Sequence, residues 1–425
     1  MSSCTSQASS AVKYGRPKRL AVVISHPIQH FAPVFARLAT SAEIDLKVFY
    51  CCDWGVREYV DPGFGKRIAW DIPLLDGYES EFLPIKRRPR SISFFEVDNP
   101  QVAERLADFA PDAIWIHGYG LRTSWRALRW ARKNSSVLFW GDSQLLTPRG
   151  LLKKIAKQIV VRWFFRRCDG FLTIGDNNES YYRHYGVPDR KMYRGSCPVD
   201  LDRFRKSISA LSLEDRRRLR AEKGLDPDAV VVLFVGQLIS IKRPLDFVEA
   251  IARARRTQPR LQGLIVGSGA LEDQVRQRIH DLEVEDGVRM MGFVNQSEIP
   301  KTLWLGDVIA MCSETDSHPL AVSEAMAVGN AVVASDRVGC VGPTDAARPG
   351  SNALVFPCGD VDALASILCN LAQDDEKREA MRDASRRVVS SQDVQIAVDA
   401  VLKFLHSENC RKERQTPVVA SSLSD

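Results

Sequence analysis

With 425 residues, 45% apolar and 26% charged, the chain has the composition of a soluble globular protein and is too long for one ordinary core, so two domains of about 200 residues are expected. A formal net charge of +6 is modest at this length and makes no case for a nucleic-acid partner. The ten cysteines are scattered, with one adjacent pair at Cys51 and Cys52 and no CxxC, which argues against a disulfide scaffold and for reduced thiols in a cytoplasm; no apolar run approaches the roughly 18 residues that span a bilayer.

Residues 1–17 are polar and Ser-rich and read as a disordered tail without the apolar segment of a secretory signal. RLAVVIS (Arg19 to Ser25) then reads as a buried strand, followed by the helical spacing of FAPVFARLA. Further strands are expected at IDLKVFY, DAIWIHG, SSVLFWG and GFLTIG, alternating with helical or loop sequence. This alternation favours a parallel, doubly wound sheet over residues 18–205.

Charge is unevenly placed in this half. KRRPR (Lys86 to Arg90) is one basic cluster. A second is acid-free from Asp142 to Asp169 and contains Arg149, Lys153, Lys154, Lys157, Arg162, Arg166 and Arg167. In its segment LLKKIAKQIVVRWFFRRC, Leu152, Ile155, Ala156, Ile159, Val160 and Trp163 make a helical stripe for the core, while Val161, Phe164 and Phe165 fall among the cations. Apolar groups amid cations suit peripheral contact of the basic 149–167 segment with an anionic membrane. A second packed face with solvated basic groups is the other reading.

After LSLEDRRRLRAEKGLDPD the pattern restarts, with AVVVLFVG, LQGLIVGSG, GVRMMGFV, DVIAMC, AVVAS and ALVFP as the strands of a domain over residues 206–390. The fold class is therefore α/β, two Rossmann-like domains facing across a cleft where ligands of such sheets bind. VGQLISIK turns at Gly236 and puts Lys242 just ahead of a helix, where a lysine meets an anion at a helix amino terminus. Gly267 and Gly269 lack the third glycine of a dinucleotide fingerprint, since Glu272 stands there, and argue against a nicotinamide cofactor. In SETDSHPLAVSEAMAVGN a helix is expected to start near Pro319, with Asp316 in the loop before it and Glu324 inside it. The stretch from Asp393 to Ser407 is helical by pattern, and residues 407–425 read as a second disordered tail.

The series VGxL…K, VGxGxLE, GFV, and an acid followed after seven residues by the Glu of SEAMAxGxxVVAS resembles the donor domain of retaining GT-B glycosyltransferases, in particular family 4, over about residues 230–371. The opening SHPIQHFAPVFARLA, with FYCCDWG and WDIPLL, is similar to a bacterial subset associated with surface polysaccharide assembly. The resemblance implies a donor that is a nucleotide-diphosphate sugar, a glycan or lipid-linked acceptor, no separate cofactor, and a helix at 391–406 crossing back to the first domain. It implies that Glu324 holds the ribose hydroxyls, Asp316 the donor sugar, and Lys242 the diphosphate beside the amides of Leu320 and Ala321. Phe293 and Val294 fall where the base is held, and His117 near the transferred sugar.

Three positions depart from the pattern. Asp316 stands for a Glu, Gln237 for an Arg partner of Lys242, and Pro319 for a Gly, which removes one amide donor. Glu314 is the alternative first acid if the loop is displaced. His117 has a second reading as a satisfied strand-end histidine, and His26 and His30 read as either acceptor-side or structural groups. No metal site is assigned, so metal-independent transfer with retention is expected, in a cytoplasmic enzyme peripheral on the inner membrane face. A nucleotide-sugar epimerase and a noncatalytic sugar-nucleotide binder are the alternatives.

Overall fold

The computed structural model describes residues 16–61, 63–146 and 150–410, and for 151–156 the backbone alone. The tail expectations for 1–15 and 411–425, and the assignments to Arg149, Leu152, Lys153, Lys154, Ile155 and Ala156, lie outside what is described.

The first domain comprises β1 (Lys18–Ile24), α1 (Ala32–Ala39), β2 (Ile44–Tyr50), β3 (Tyr59–Asp61), β4 (Lys66–Ile68), β5 (Glu79–Phe82), α2 (Val102–Phe109) and β6 (Ala113–His117). It continues through α3 (Arg122–Asn134), β7 (Ser136–Trp140), α4 (Leu151–Phe165), β8 (Gly170–Thr173), α5 (Asp176–His184) and β9 (Met192–Arg194). Its seven-stranded sheet has the order β5-β2-β1-β6-β7-β8-β9, with every pairing parallel. β1, β6 and β7 are runs of Val, Ile, Leu, Phe and Trp because parallel strands carry helices on both faces and need apolar side chains on both.

The second domain begins with α6 (Leu201–Ile208), α7 (Leu213–Glu222), β10 (Val230–Val235), α8 (Pro244–Arg255), β11 (Leu261–Val266), α9 (Glu272–Asp281) and β12 (Val288–Gly292). It ends with α10 (Ile299–Trp304), β13 (Val308–Met311), α11 (Leu320–Ala327), β14 (Ala331–Ser335), β15 (Ala353–Phe356), α12 (Val361–Gln373), α13 (Asp375–Val388) and α14 (Val394–His406). The second core already includes Val199, Leu201 and Phe204, since α6 packs on α10 and α11. Its sheet, β12-β11-β10-β13-β14-β15, is also parallel throughout.

Both sheets wind outward from their first strand in two directions. Strand order therefore reverses between β1 and β6 and between β10 and β13, and the crevices beyond the carboxyl ends of these strands are where doubly wound sheets bind ligands. α14 returns to pack its Val394, Ala397, Val401 and Phe404 face on α1 and β9 of the first domain.

One helix sits on the opposite face from that expected. Among the described side chains of α4 the buried ones are Val161, Phe164 and Phe165, whereas Ile159 is 67%, Val160 46% and Trp163 44% exposed. Both triplets have helical spacing. The inner one wins because its two phenyl rings fill the space between Phe139, Phe171 and Tyr182. The short hairpin β3–β4 and the edge strands β5 and β9 are too short to show a periodicity in sequence.

Candidate active site

The two crevices face each other. On the second domain, β10 ends at Gly236 and Gln237, and a one-turn helix at Ser240–Lys242 precedes α8. The amide of Glu314, beyond β13, donates to the carbonyl of Ile241 at 2.8 Å, which holds the 313–316 loop against that turn. Lys242 Nζ is thereby placed on Asp316 Oδ2 in an ion pair, both side chains being largely buried. α11 starts at Leu320 with Pro319 as its N-cap, one residue later than expected: the extended ψ of 115° leaves the proline outside the helix. The amides of Leu320 and Ala321 belong to the unpaired first turn of this helix.

Glu324, inside α11, is 7% exposed, and its carboxylate has no hydrogen-bond partner among the described residues. It borders a narrow cleft with Arg203, Gln296, Leu320 and His30. Burial raises its carboxyl to about 7, against the pull of Arg203. Such a group lacks the hydroxyl donors that would stabilise its charge.

Gly267 and Gly269 have a packing reason. A Cβ on Gly267 would lie 1.8 Å from the Gly236 carbonyl, and one on Gly269 2.6 Å from that of Leu238, so both let β11's loop lie against the 236–238 turn. Phe293 and Val294 follow β12, and Phe293 is covered from the first domain by Phe64 at 5.2 Å and Trp70 at 6.2 Å between ring centroids.

That cover is a strap built on the β3–β4 hairpin. Asp61 Oδ1 accepts from the amides of Gly63 and Phe64 at 2.8 and 3.0 Å, which closes the turn, and also from Gln237 Nε2 at 3.3 Å. Ser268 Oγ donates to the Phe64 carbonyl, and Asn295 Nδ2 to that of Ala69. The strap therefore lies over Gln237 and Phe293.

The first-domain wall carries histidines. His117, at the end of β6, is 7% exposed and packed among Phe31, Phe35, Trp115 and Trp140, and neither ring nitrogen has a hydrogen-bond partner among the described residues. Burial, with His30 nearby, holds its pKa well below the usual histidine range, so it is neutral. His26 and His30 are pushed down to about 4 by burial, His26 against the opposing charge of Asp61 and His30 with His26 and His318 adding to the effect. Asp142, just past β7, opens to the cleft yet is ringed by protein, and that crowding together with Asp316 raises its carboxyl.

Two groups with no sequence periodicity complete the site. His318 Nε2 lies 2.9 Å from Asp345 Oδ1, while Asp345 Oδ2 accepts from the amide of Asp176 at the start of α5. Burial opposes a charged His318, but Asp345 overcomes it and raises the imidazole to about 10. The pair joins the loop ahead of α11 to the first domain. Asp142, by contrast, was accessible to the rule that strand carboxyl ends carry function.

The chain contains three Asp-x-Asp triplets, Asp200–Asp202, Asp226–Asp228 and Asp360–Asp362. Each has a local role. Asp200 and Asp360 cap α6 and α12, and Asp226 closes a turn on the Asp228 amide.

Comparison with known proteins fits this arrangement. Residues 215–388 match the family model described as glycosyl transferases group 1. A D-inositol 3-phosphate glycosyltransferase of Segniliparus rotundus is 34% identical over 157 residues, 36% of this chain and 33% of that protein. One of Streptomyces bingchenggensis is 31% identical over 288 residues, 63% of this chain and 59% of that protein. The chain thus spans between one third and three fifths of the length of these curated relatives. The crystal structure of Anabaena HepE in complex with UDP superposes with a TM-score of 0.69 at 17% identity, over 91% of this chain and 99% of that one. The second domain is thus similar to the group 1 glycosyltransferases over residues 215–388, and the two parallel-sheet domains share the GT-B fold of the solved neighbour.

Proposed function

We propose that the protein is a retaining, metal-independent glycosyltransferase that moves a sugar from a nucleotide-diphosphate sugar to a glycan or lipid-linked acceptor in cell-surface polysaccharide biosynthesis. The observation that carries this reading is the convergence, at facing strand-order reversals, of the Lys242–Asp316 pair, the amino end of α11 and the unpartnered Glu324. Breaking a sugar-diphosphate bond places negative charge on the leaving phosphate. Lys242 and the amides of Leu320 and Ala321 are fixed to meet it. Glu324 would accept the ribose hydroxyls, Phe293 and Val294 would hold the base, and Gly236 would let the backbone approach the diphosphate.

In the free protein Asp316 neutralises Lys242, so a bound donor competes for the lysine and frees Asp316 for sugar hydroxyls. His117, neutral and enclosed, would border the transferred sugar, with His26, His30 and Asp142 toward the acceptor. The leaving phosphate would take the acceptor's proton. No further cofactor and no nucleic acid enter this reading, and the enzyme would work in the cytoplasm, peripheral on the inner membrane face.

Thermal unfolding against UDP, GDP, ADP, CDP and their sugar conjugates, with and without EDTA, tests it. A nucleotide at about 100 times its dissociation constant adds about 2.7 kcal/mol of stability. One series should stabilise irrespective of EDTA, and Glu324→Ala should abolish the effect. Product analysis with that donor should then show a new glycoside; an epimerised donor, or no turnover with binding intact, would replace this reading with one of its alternatives.

A further inference from the structure

The outer face of α4 is an unusual surface for a globular protein. Ile159, Val160 and Trp163 point to solvent, and the Trp163 indole lies between Trp125, stacked at 5.5 Å, and the Arg167 guanidinium, 3.5 Å from its ring centroid. Arg162 and Arg166 stand in the same face and, among the described residues, neither reaches a carboxylate within ion-pair distance. They form the wall between two open grooves. One, of about 500 Å³, is bordered by Ile159, Trp163 and Arg167; the other, of about 590 Å³, by Tyr185, Arg190 and Lys191. Neither groove is lined by an acid. The neighbouring α3, RTSWRALRWARKN, contains none either.

Arg162 and Arg166, without a carboxylate among the described residues, ask for an anionic partner, and large exposed aliphatic and indole groups ask for an apolar one. A single-stranded nucleic acid would satisfy the first and leave Ile159 and Val160 in water. A bilayer surface meets both requirements, because phosphates and acyl chains lie within about 5–10 Å of each other along its normal. We propose that this face is a docking surface for anionic phospholipid, with Ile159 and Trp163 entering the headgroup layer and Arg162 and Arg166 holding lipid phosphates in the grooves they separate. The proposal deepens the peripheral localisation above and rests on that part of it alone, since docking requires neither donor nor acceptor. It assigns the contact to the side of α4 that the sequence had given to the core.

Flotation of the full chain with vesicles tests it without any transfer chemistry. The protein should float with phosphatidylcholine–phosphatidylglycerol vesicles and stay behind with pure phosphatidylcholine, and raising salt from about 0.1 M to about 0.5 M should weaken the association. R162Q/R166Q should reduce the partition coefficient about 30-fold, as expected for two surface cations. I159S/W163S should reduce it at least tenfold. The exposed second-domain control K223Q/K301Q should stay within twofold of the parent. Circular dichroism should stay unchanged in every variant and Tm in R162Q/R166Q and K223Q/K301Q, while I159S/W163S, which gives up the Trp163 stack on Trp125, is compared well below its own Tm. Failure to float, equal binding to both vesicle types, an equal loss in the control, or capture by a single-stranded oligonucleotide in place of vesicles would overturn the assignment.

Discussion

Lys242 is the residue on which the proposed chemistry depends most, because Gln237 leaves it as the principal side-chain cation at the expected diphosphate. Lys242→Ala should lower turnover by roughly two to three orders of magnitude. Near-normal turnover in a steady-state assay would remove the lysine from the mechanism. Glu324 and His318 make opposite uses of burial, and both are readable by pH. Glu324 binds its proton more tightly folded, at about 7, than unfolded, at about 4.5, so its burial costs stability progressively as pH rises from 4.5 to 7. At about 1.4 kcal/mol per unit this amounts to a few kcal/mol, and Glu324→Gln should flatten that slope in urea titrations. His318 is also raised, from 6.5 to about 10, so its ion pair contributes fully below 6.5 and is lost as pH climbs to 10. His318→Gln should remove the second slope and leave the first. A variant that retained its own slope would refute the corresponding assignment.

At the level of elements, the β3–β4 strap is the part of the first domain that lies over Gln237 and Phe293, two of the positions proposed to hold the donor. Gly63 lies so close to Gln237 that an added Cβ would fall 2.0 Å from Nε2, at the flexible end of that side chain. Gly63→Ala should therefore displace the glutamine or lift the strap, and Phe64→Ala should uncover Phe293. Both changes should raise KM for the donor nucleotide severalfold more than they lower kcat, because the contact concerns binding more than the reacting atoms. Kinetics showing a fall in kcat alone would place the strap on the acceptor side instead. α4 carries a related lesson, since its core face is set by which side chains fit beneath it, and Phe164 and Phe165 outweighed Ile159, Val160 and Trp163.

For the molecule as a whole, the two domains are tied by more than the α14 crossover. Asp345 bonds His318 of the loop ahead of α11 and the amide of Asp176 in the first domain, while Asp176 accepts from the Thr344 amide and pairs with Arg194. Asn177 reaches the carbonyls of Gly339 and Val341. Asp345→Ala leaves a buried imidazole without its counter-charge, a change that typically costs about 3–5 kcal/mol. Calorimetry should show a lower Tm and separate unfolding of the domains, and hydrogen exchange should quicken at both 176–178 and 316–320. A single transition at the parental temperature would mean that α14 and the remaining contacts couple the halves without Asp345.

What the sequence determined by itself was everything carried by local pattern. The buried strands from RLAVVIS to ALVFP declare themselves because parallel strands need apolar residues on both faces, and the motifs around Gly236, Gly267 and Glu324 carry the resemblance to a donor domain because they lie close together in the chain. Only the tertiary structure decided what depends on pairs distant in sequence. Asp61 meets Gln237 across 176 positions, Asp176 meets Asp345 across 169, and His117 is enclosed by rings from three separate segments. The outward face of α4 belongs to the same class: one helix can present two apolar stripes, and the volume left by its neighbours chooses between them.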